Sequence, residues 1–265
     1  MPDFSLLTSS ALQIIETSGE IIRTGSSKPH TVRHKGRIDL VTETDFAVEA
    51  FLKERLHDLL PEAHFLAEES AAGLTPPDTC WIIDPVDGTT NFAHGLPFVA
   101  TSVALQREGE LVLGVVNAPL LGECFIAEKG KGAWLNGKPI HVSQIDNLEE
   151  ALVATGFPYD INQRVETILR RLKPILAAAQ GVRRCGAASL DLVWTACGRF
   201  DAYYEDGLKP WDSAAGALIL KEAGGQITDM HGKPYTLLSS VLASNSLLHD
   251  SLLHYLLKAL SEETR

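Results

Sequence analysis

The chain has 265 residues, 45% hydrophobic and 22% charged, which is enough apolar material for a sizeable core and an ordinary balance for a globular protein. Its 23 basic residues face 34 acidic ones, a formal charge of −11 with no long basic run, which excludes a general nucleic-acid binder. No window approaches the roughly twenty apolar residues of a membrane span, and the amino terminus Met1-Pro2-Asp3-Phe4-Ser5 lacks a basic n-region and a signal-length apolar stretch, so a cytoplasmic protein is expected. Four scattered cysteines, Cys80, Cys124, Cys185 and Cys197, form no CxxC pair and read as reduced thiols in the core. The chain also lacks a Walker loop, a dinucleotide glycine fingerprint and a GxSxG elbow.

In chain order, Leu7, Ala11, Ile14, Ile15, Ile21 and Ile22 give residues 4–24 one apolar face at helical period and predict a packing helix. Residues 25–37, rich in Gly, Lys, His and Arg, read as an exposed loop carrying Lys35. A second amphipathic helix follows Leu40-Val41-Thr42, with Phe46, Ala50, Phe51, Leu56 and Leu59 turned inward. Thr42 followed by Asp45 has the spacing of a capping box, which leaves Asp45 open between a cap and a catalytic group. Pro61 ends that helix, and a short strand at 63–67 runs straight into Glu68-Glu69-Ser70. Adjacent carboxylates repel unless a cation or a shared proton relieves them; a solvated acidic loop is the plainer alternative.

The β-branched run Trp81-Ile82-Ile83 predicts a buried strand that stops at Asp84-Pro85-Val86-Asp87-Gly88-Thr89-Thr90-Asn91. Two acids around a forced turn, followed by small residues with free backbone N–H groups, suit a divalent cation and a phosphate together. Taken alone, a DxxD more often caps the next helix. Alternating apolar residues around Arg107-Glu108-Gly109-Glu110 predict a hairpin, and 125–142 a second antiparallel pair turning at Asn136-Gly137. Further on, 152–156 is strand-like, 161–179 helical except at Pro174, and 189–197 a short buried helix. Arg183 and Arg184 read as a solvated pair, with a guard of the site or of a dimer face as the alternative, and the strand at 200–205 again ends on an acid, Glu205. Trp211-Asp212-Ser213-Ala214-Ala215-Gly216 opens a helix of small residues that stops at Gly224-Gly225. Strands at 226–229 and 241–244 and a last helix over 247–260 complete the pattern.

Asp84-Pro85-Val86-Asp87-Gly88-Thr89-Thr90-Asn91, preceded by Glu68-Glu69-Ser70 and followed far downstream by Trp211-Asp212-Ser213-Ala214-Ala215-Gly216, resembles the inositol monophosphatase family of lithium-sensitive, magnesium-dependent phosphatases. Leu40-Val41-Thr42-Glu43-Thr44-Asp45 and Asp201-Ala202-Tyr203-Tyr204-Glu205 fall in the family's order and spacing, so the resemblance covers nearly the whole chain. It implies two or three Mg²⁺ ions, the first on Glu68, Asp84 and the main-chain carbonyl of Val86, the second on Asp84, Asp87 and Asp212, with Glu68 sharing a third. It further implies that a metal-activated water attacks the phosphate, oriented and deprotonated by Thr89 hydrogen-bonded to Asp45, with Glu68 assisting. Gly88 and Thr89 would present backbone N–H groups to the phosphate, and Asp87, Ala188, Glu205 and Asp212 would surround the hydroxyls of the substrate. Glu69 would stand behind the metal ligands, and Lys35 on a loop over them. Lys209-Pro210 falls where the family varies.

The fold implied by the resemblance is α/β (α+β), a layered αβαβα sandwich forming a single domain over 1–265. Its metal-binding lobe would be about 1–145 and its substrate-side lobe about 146–265. The implied activity is hydrolysis of myo-inositol 1-phosphate or a close polyol phosphate, a small-molecule phosphate monoester. Fructose 1,6-bisphosphate, 3′-phosphoadenosine 5′-phosphate and histidinol phosphate are the competing substrates. From a different class, a regulatory module that binds another protein on the same fold is the alternative. A homodimer is implied, with neither nucleic acid nor membrane as a partner.

Overall fold

The computed structural model describes residues 4–28, 32–34 and 40–261; Lys35 lies outside the described residues. The first half opens with helix α1 (Leu6–Ser26), the short antiparallel pair β1 (Val32–His34) and β2 (Leu40–Thr42), and helix α2 (Glu43–Leu59). Strands β3 (His64–Ala67) and β4 (Cys80–Asp87) lead into a short helix α3 (Thr89–Ala93). Strands β5 (Ala100–Arg107), β6 (Glu110–Ala118), β7 (Glu123–Glu128), β8 (Ala133–Leu135) and β9 (Lys138–Ile140) follow as a meander. The second half alternates β10 (Leu152–Thr155), α4 (Ile161–Ala178), β11 (Gly181–Arg183), α5 (Ala188–Ala196) and β12 (Ala202–Glu205). It closes with α6 (Pro210–Glu222), β13 (Gln226–Thr228), β14 (Val241–Ser244) and α7 (His249–Ser261).

Strands β3 to β9 form a seven-stranded sheet in sequence order, antiparallel except for the parallel β3–β4 pair. The five-stranded sheet runs β11-β10-β12-β14-β13, parallel at its first three strands and antiparallel beyond. Successive strand side chains point to opposite faces, so each sheet needs cover on both sides. Trp81, Ile83, Val103, Leu105, Leu113 and Val115 pack with Ala11, Ile15 and Ile22 of α1 and Val48, Leu52 and Leu56 of α2. Their neighbours Ile82, Ala104, Val116 and Phe125 meet α5 and α6 instead, and the same cluster continues into Ala154, Tyr203, Val241 and Ala243 of the second sheet. The far face of that sheet, with Val153, Ala202, Tyr204 and Leu242, is closed by Ile175 of α4 and Leu252 and Leu256 of α7. The order is helices, sheet, helices, sheet, helices: an αβαβα sandwich.

The middle layer explains the small residues of α6. A helix buried on every side shows no amphipathic stripe, and nearly all of α6 is buried. A Cβ at Gly114 of β6 would come within 2.7 Å of the Ala215 carbonyl oxygen, so helix and strand approach at backbone distance. The hairpin turn at 136–137 also follows its residue types: Asn136 and Gly137 both have positive φ, as a type I′ turn requires. It joins β8 to β9, so residues 125–142 form three strands rather than two.

Two expectations are corrected. Helix α4 continues through Pro174, which removes one backbone donor without ending the helix. In α2 the buried face runs through Asp45, Val48, Glu49, Leu52 and Leu56, whereas Phe46 is 45% exposed and Ala50 faces solvent. The helix is rotated by its acids: Asp45 bonds to Thr42 and Thr89, and Glu49 accepts the Glu69 N–H at 2.9 Å. Satisfied carboxylates can be buried, and here they take precedence over an exposed phenylalanine.

Candidate active site

The parallel β3–β4 register places Leu66 beside Ile82 and Ala67 beside Ile83, so the next residue of one strand, Glu68, arrives next to Asp84 of the other. The Glu68 N–H donates to the Ile83 carbonyl at 3.1 Å and extends the ladder to that point. Between Asp84 and Asp87 the pairing of β4 with β5 shifts register, because Pro85 brings no N–H and the strand bulges. The Thr101 hydroxyl donates to the Pro85 carbonyl at 2.9 Å and fixes the bulge. One residue further along β5, the Ser102 hydroxyl donates to the Trp211 carbonyl at 3.1 Å and ties the start of α6, and with it Asp212, to the same sheet.

Each acid is then oriented by donors of the chain. Asp84 Oδ1 accepts the Val86 N–H at 3.0 Å. Asp87 Oδ2 accepts the Ser189 N–H at 2.7 Å and the Ser189 hydroxyl at 2.5 Å, at the start of α5. Asp212 Oδ2 accepts the Lys209 N–H at 2.6 Å and caps α6. These bonds engage one oxygen of each carboxylate. Asp45 serves two partners: Oδ2 takes the Thr42 N–H and hydroxyl at 2.9 and 2.6 Å, and Oδ1 faces the Thr89 hydroxyl at 3.2 Å. The cap and the contact with Thr89 are therefore both present. The Thr89 hydroxyl also lies 3.0 Å from the Val86 carbonyl. Gly88, at φ 90°, turns the chain from β4 into α3, and a Cβ there would press to 2.8 Å from the Phe98 carbonyl.

The electrostatics follow from crowding. Burial pushes Asp84 well above the ordinary carboxylate range, with Glu68, Asp87, Asp212 and Asp45 adding repulsion. Burial does the same to Asp212 against the Lys209 N–H, reinforced by Asp87, Glu68 and Glu205. Asp87 is pushed up to about 6 by burial, with the Ser189 donors opposing. Asp45 is raised by burial despite its hydrogen bonds. Among the described residues no three His, Cys, Asp or Glu side chains already stand as a closed metal cage. The mutual repulsion nevertheless has a natural relief in a hard cation, and a donor set of carboxylate and carbonyl oxygens without thiolate or imidazole suits Mg²⁺.

Beside the acids lies a cleft of ≈ 210 Å³ whose lining includes Asp87, Gly88, Thr89, Ala188, Glu205 and Asp212. Glu205, at the end of β12, accepts the Tyr203 hydroxyl at 2.5 Å, and burial pushes its pKa up to about 7. Arg184 also lines the cleft, with its guanidinium 5.6 Å from the centre of the Phe157 ring.

The profile of the inositol monophosphatase family matches residues 3–265. The chain belongs to this family. It is 43% identical to inositol monophosphatase 3 of Solanum lycopersicum over 260 residues, covering 95% of each chain. To the inositol-1-monophosphatase of Caulobacter vibrioides it is 44% identical over 230 residues, covering 85% of this chain and 90% of that one. The extragenic suppressor protein suhB from Bartonella henselae superposes with a TM-score of 0.90 at 36% identity, over 95% of this chain and 98% of that one. The chain is accordingly an inositol monophosphatase family phosphatase. Among the described residues no helix is long and apolar enough to cross a membrane.

Of the family residues anticipated from sequence, Asp45, Glu68, Asp84, Val86, Asp87, Gly88, Thr89 and Asp212 gather around the end of β4, and Ala188 and Glu205 border the cleft they share. Glu69 follows Glu68, its N–H held by Glu49. Sequence reasoning passed over Ser189 and Asp191, and favoured solvent over the site for Arg184. Ser189 is the donor that anchors Asp87, and a serine opening a helix was its only local sign. Arg184 lines the cleft while remaining exposed, so the solvated arginine read from the sequence also borders the site. Asp191, 1% exposed on α5, is driven well above the carboxylate range by burial, with Glu205 and Asp87 adding to the shift.

Proposed function

We propose that this phosphatase hydrolyses myo-inositol 1-phosphate or a close polyol phosphate, with Mg²⁺ held by Glu68, Asp84, Asp87, Asp212 and the Val86 carbonyl. The observation that carries this reading is the convergence of carboxylates from β4, α2, α6 and the residue after β3 on one end of the seven-stranded sheet, close enough to raise one another's pKa. Bound there, Mg²⁺ would supply positive charge opposite the phosphate oxygens and the leaving alkoxide, and lower the pKa of a nearby water.

The residues of the chain do the positioning. With its proton directed at Asp45 Oδ1 and the Val86 carbonyl, the Thr89 oxygen keeps its lone pairs for a proton from the attacking water. Burial raises Asp45, which improves it as the acceptor at the end of that short path. The N–H groups of Gly88 and Thr89 are assigned to the phosphate, and Glu205, Asp87, Asp212 and the Ala188 main chain to the hydroxyls of the alcohol. The printed names of the relatives, inositol monophosphatase and inositol-1-monophosphatase, favour an inositol phosphate among the polyols. The four free cysteines fit a reducing, cytoplasmic setting.

The test is phosphate release from myo-inositol 1-phosphate, fructose 1,6-bisphosphate, 3′-phosphoadenosine 5′-phosphate and histidinol phosphate, each with Mg²⁺ and with a chelator. Turnover of the inositol ester that disappears with chelator is expected. Silence on that ester beside turnover of another would overturn the substrate. Thr89→Val should lower kcat by about 100-fold or more without a matching loss of thermal stability; unchanged turnover would remove Thr89 from the proton path.

A further inference from the structure

The cleft is bordered by two loops that leave the carboxyl ends of adjacent parallel strands, 156–159 after β10 and 206–208 after β12. The strand register pairs Thr155 with Tyr204, so Gly156 and Glu205 come next to each other. A Cβ at Gly156 would collide with the Glu205 carboxylate, which therefore rests directly on the glycine backbone. The Tyr203 hydroxyl at 2.5 Å fixes Glu205 from its own strand. What holds the backbone that follows is a pair of arginines from α4. Asp206 Oδ2 accepts Arg171 Nη1 at 3.1 Å and lies 3.5 Å from Arg164 Nη1, while Arg164 Nε donates to Asp160 Oδ2 at 2.8 Å.

The two arginines are not equivalent. Arg164 and Asp206 are 41% and 34% exposed, a solvated contact of small energetic weight. Arg171 is only 12% exposed, its buried Nε has no hydrogen-bond partner among the described residues, and the residue lines a ≈ 20 Å³ cavity with Gly156, Tyr204, Glu205 and Asp206. A guanidinium taken largely out of water with one carboxylate as its counter-charge constrains that carboxylate, because separating the two leaves a poorly solvated charge behind.

We propose that the Arg171–Asp206 ion pair is a positioning device that holds Glu205 against Gly156 and so sets how strictly the site selects the alcohol part of its substrate. It rests on the reading of this cleft as the place of a polyol phosphate. Among the described residues no hydrogen bond or ion pair joins the two to the phosphate end, built on β4, α3 and α6, so loosening the pair affects recognition of hydroxyls and leaves phosphate transfer alone.

The experiment compares myo-inositol 1-phosphate with p-nitrophenyl phosphate, an ester whose alcohol offers no hydroxyl to Glu205, using wild type, Arg171→Met, Arg171→Lys, Asp206→Asn and the double variant Arg171→Met/Asp206→Asn with Mg²⁺. For Arg171→Met and Asp206→Asn the expected result is a rise in KM for the inositol ester of about tenfold with kcat and the aryl-phosphate kinetics nearly unchanged. The double variant should be no worse than either single one, and Arg171→Lys should recover part of the loss. Equal losses on both esters, or a lowered melting temperature with an unchanged ratio of the two substrates, would make the pair merely structural and overturn the proposal. Should the wild type prefer another polyol phosphate, the same ratio is read with that ester. A wild type that turns over neither ester nor any polyol phosphate sinks the functional reading, and the proposal with it; an active wild type with an unchanged ratio in the variants sinks the ion-pair proposal alone.

Discussion

Glu205 is a carboxylate held partly protonated near neutral pH. Burial pushes its pKa up to about 7; the Tyr203 hydroxyl and the Arg184 guanidinium favour the anion, and Asp87 and Asp206 work against it. The folded chain therefore keeps this proton where the unfolded chain, near the ordinary value of 4.5, has released it. Fewer protons bound in the unfolded state means that stability falls as pH rises through this window, by on the order of 3 kcal/mol once ionisation is complete. Glu205→Gln keeps the shape and removes the titration. With chelator present, the melting temperature of the wild type should fall more steeply than that of the variant between about pH 5 and about pH 8. Parallel curves would mean that Glu205 titrates in the fold as it does in the open chain.

At the scale of elements, α6 is wedged between the two sheets, and its contact with β6 passes through Gly114 and Ala215. A Cβ at Gly114 has a backbone oxygen in its way, which cannot swing aside as a side-chain tip does. Gly114→Ala should destabilise the fold by about 1–3 kcal/mol in a denaturant melt. Gly73→Ala, where an added Cβ meets nothing within 4 Å, should be neutral or slightly stabilising. Similar midpoints for the two variants would show that α6 has room to retreat from the sheet. The start of β4 was legible because its β-branched run acts locally, but the turn read at Asp84-Pro85 is instead a bulge within a strand that continues to Asp87, because pairing with β5 resumes at Ala100. The orientation of α2 was not legible. Its apolar positions favour Phe46 and Ala50, and only partners far away in sequence, Thr89 and the Glu69 N–H, show that Asp45 and Glu49 are the buried side. The site-guarding alternative for Arg184 stayed second to solvent for the same reason, since nothing near it in sequence announces Phe157 or the cleft.

Over the whole molecule, the net charge of −11 is not spread evenly: Asp45, Glu68, Asp84, Asp87 and Asp212 act on one another at the end of a single sheet. The motifs pointed to these acids, while the parallel β3–β4 register and the Ser102 bond to α6 determine that they meet. Bringing these carboxylates together opposes folding unless protons or cations neutralise them. Protons do so at low pH, and the proposed Mg²⁺ would do so once the carboxylates are ionised, so the two compete. A ligand bound only by the folded chain adds about 2.7 kcal/mol at a hundred times its dissociation constant, enough to raise the melting temperature of a chain of this size by roughly 5–10 °C. The rise on adding Mg²⁺ should therefore be clear near pH 8, shrink near pH 5.5, and vanish in Asp84→Asn, whose amide keeps the shape but loses the charge. Wild-type stability indifferent to Mg²⁺ at pH 8 would mean that the chain neutralises its own acids, and that the proposed ions have no place among them.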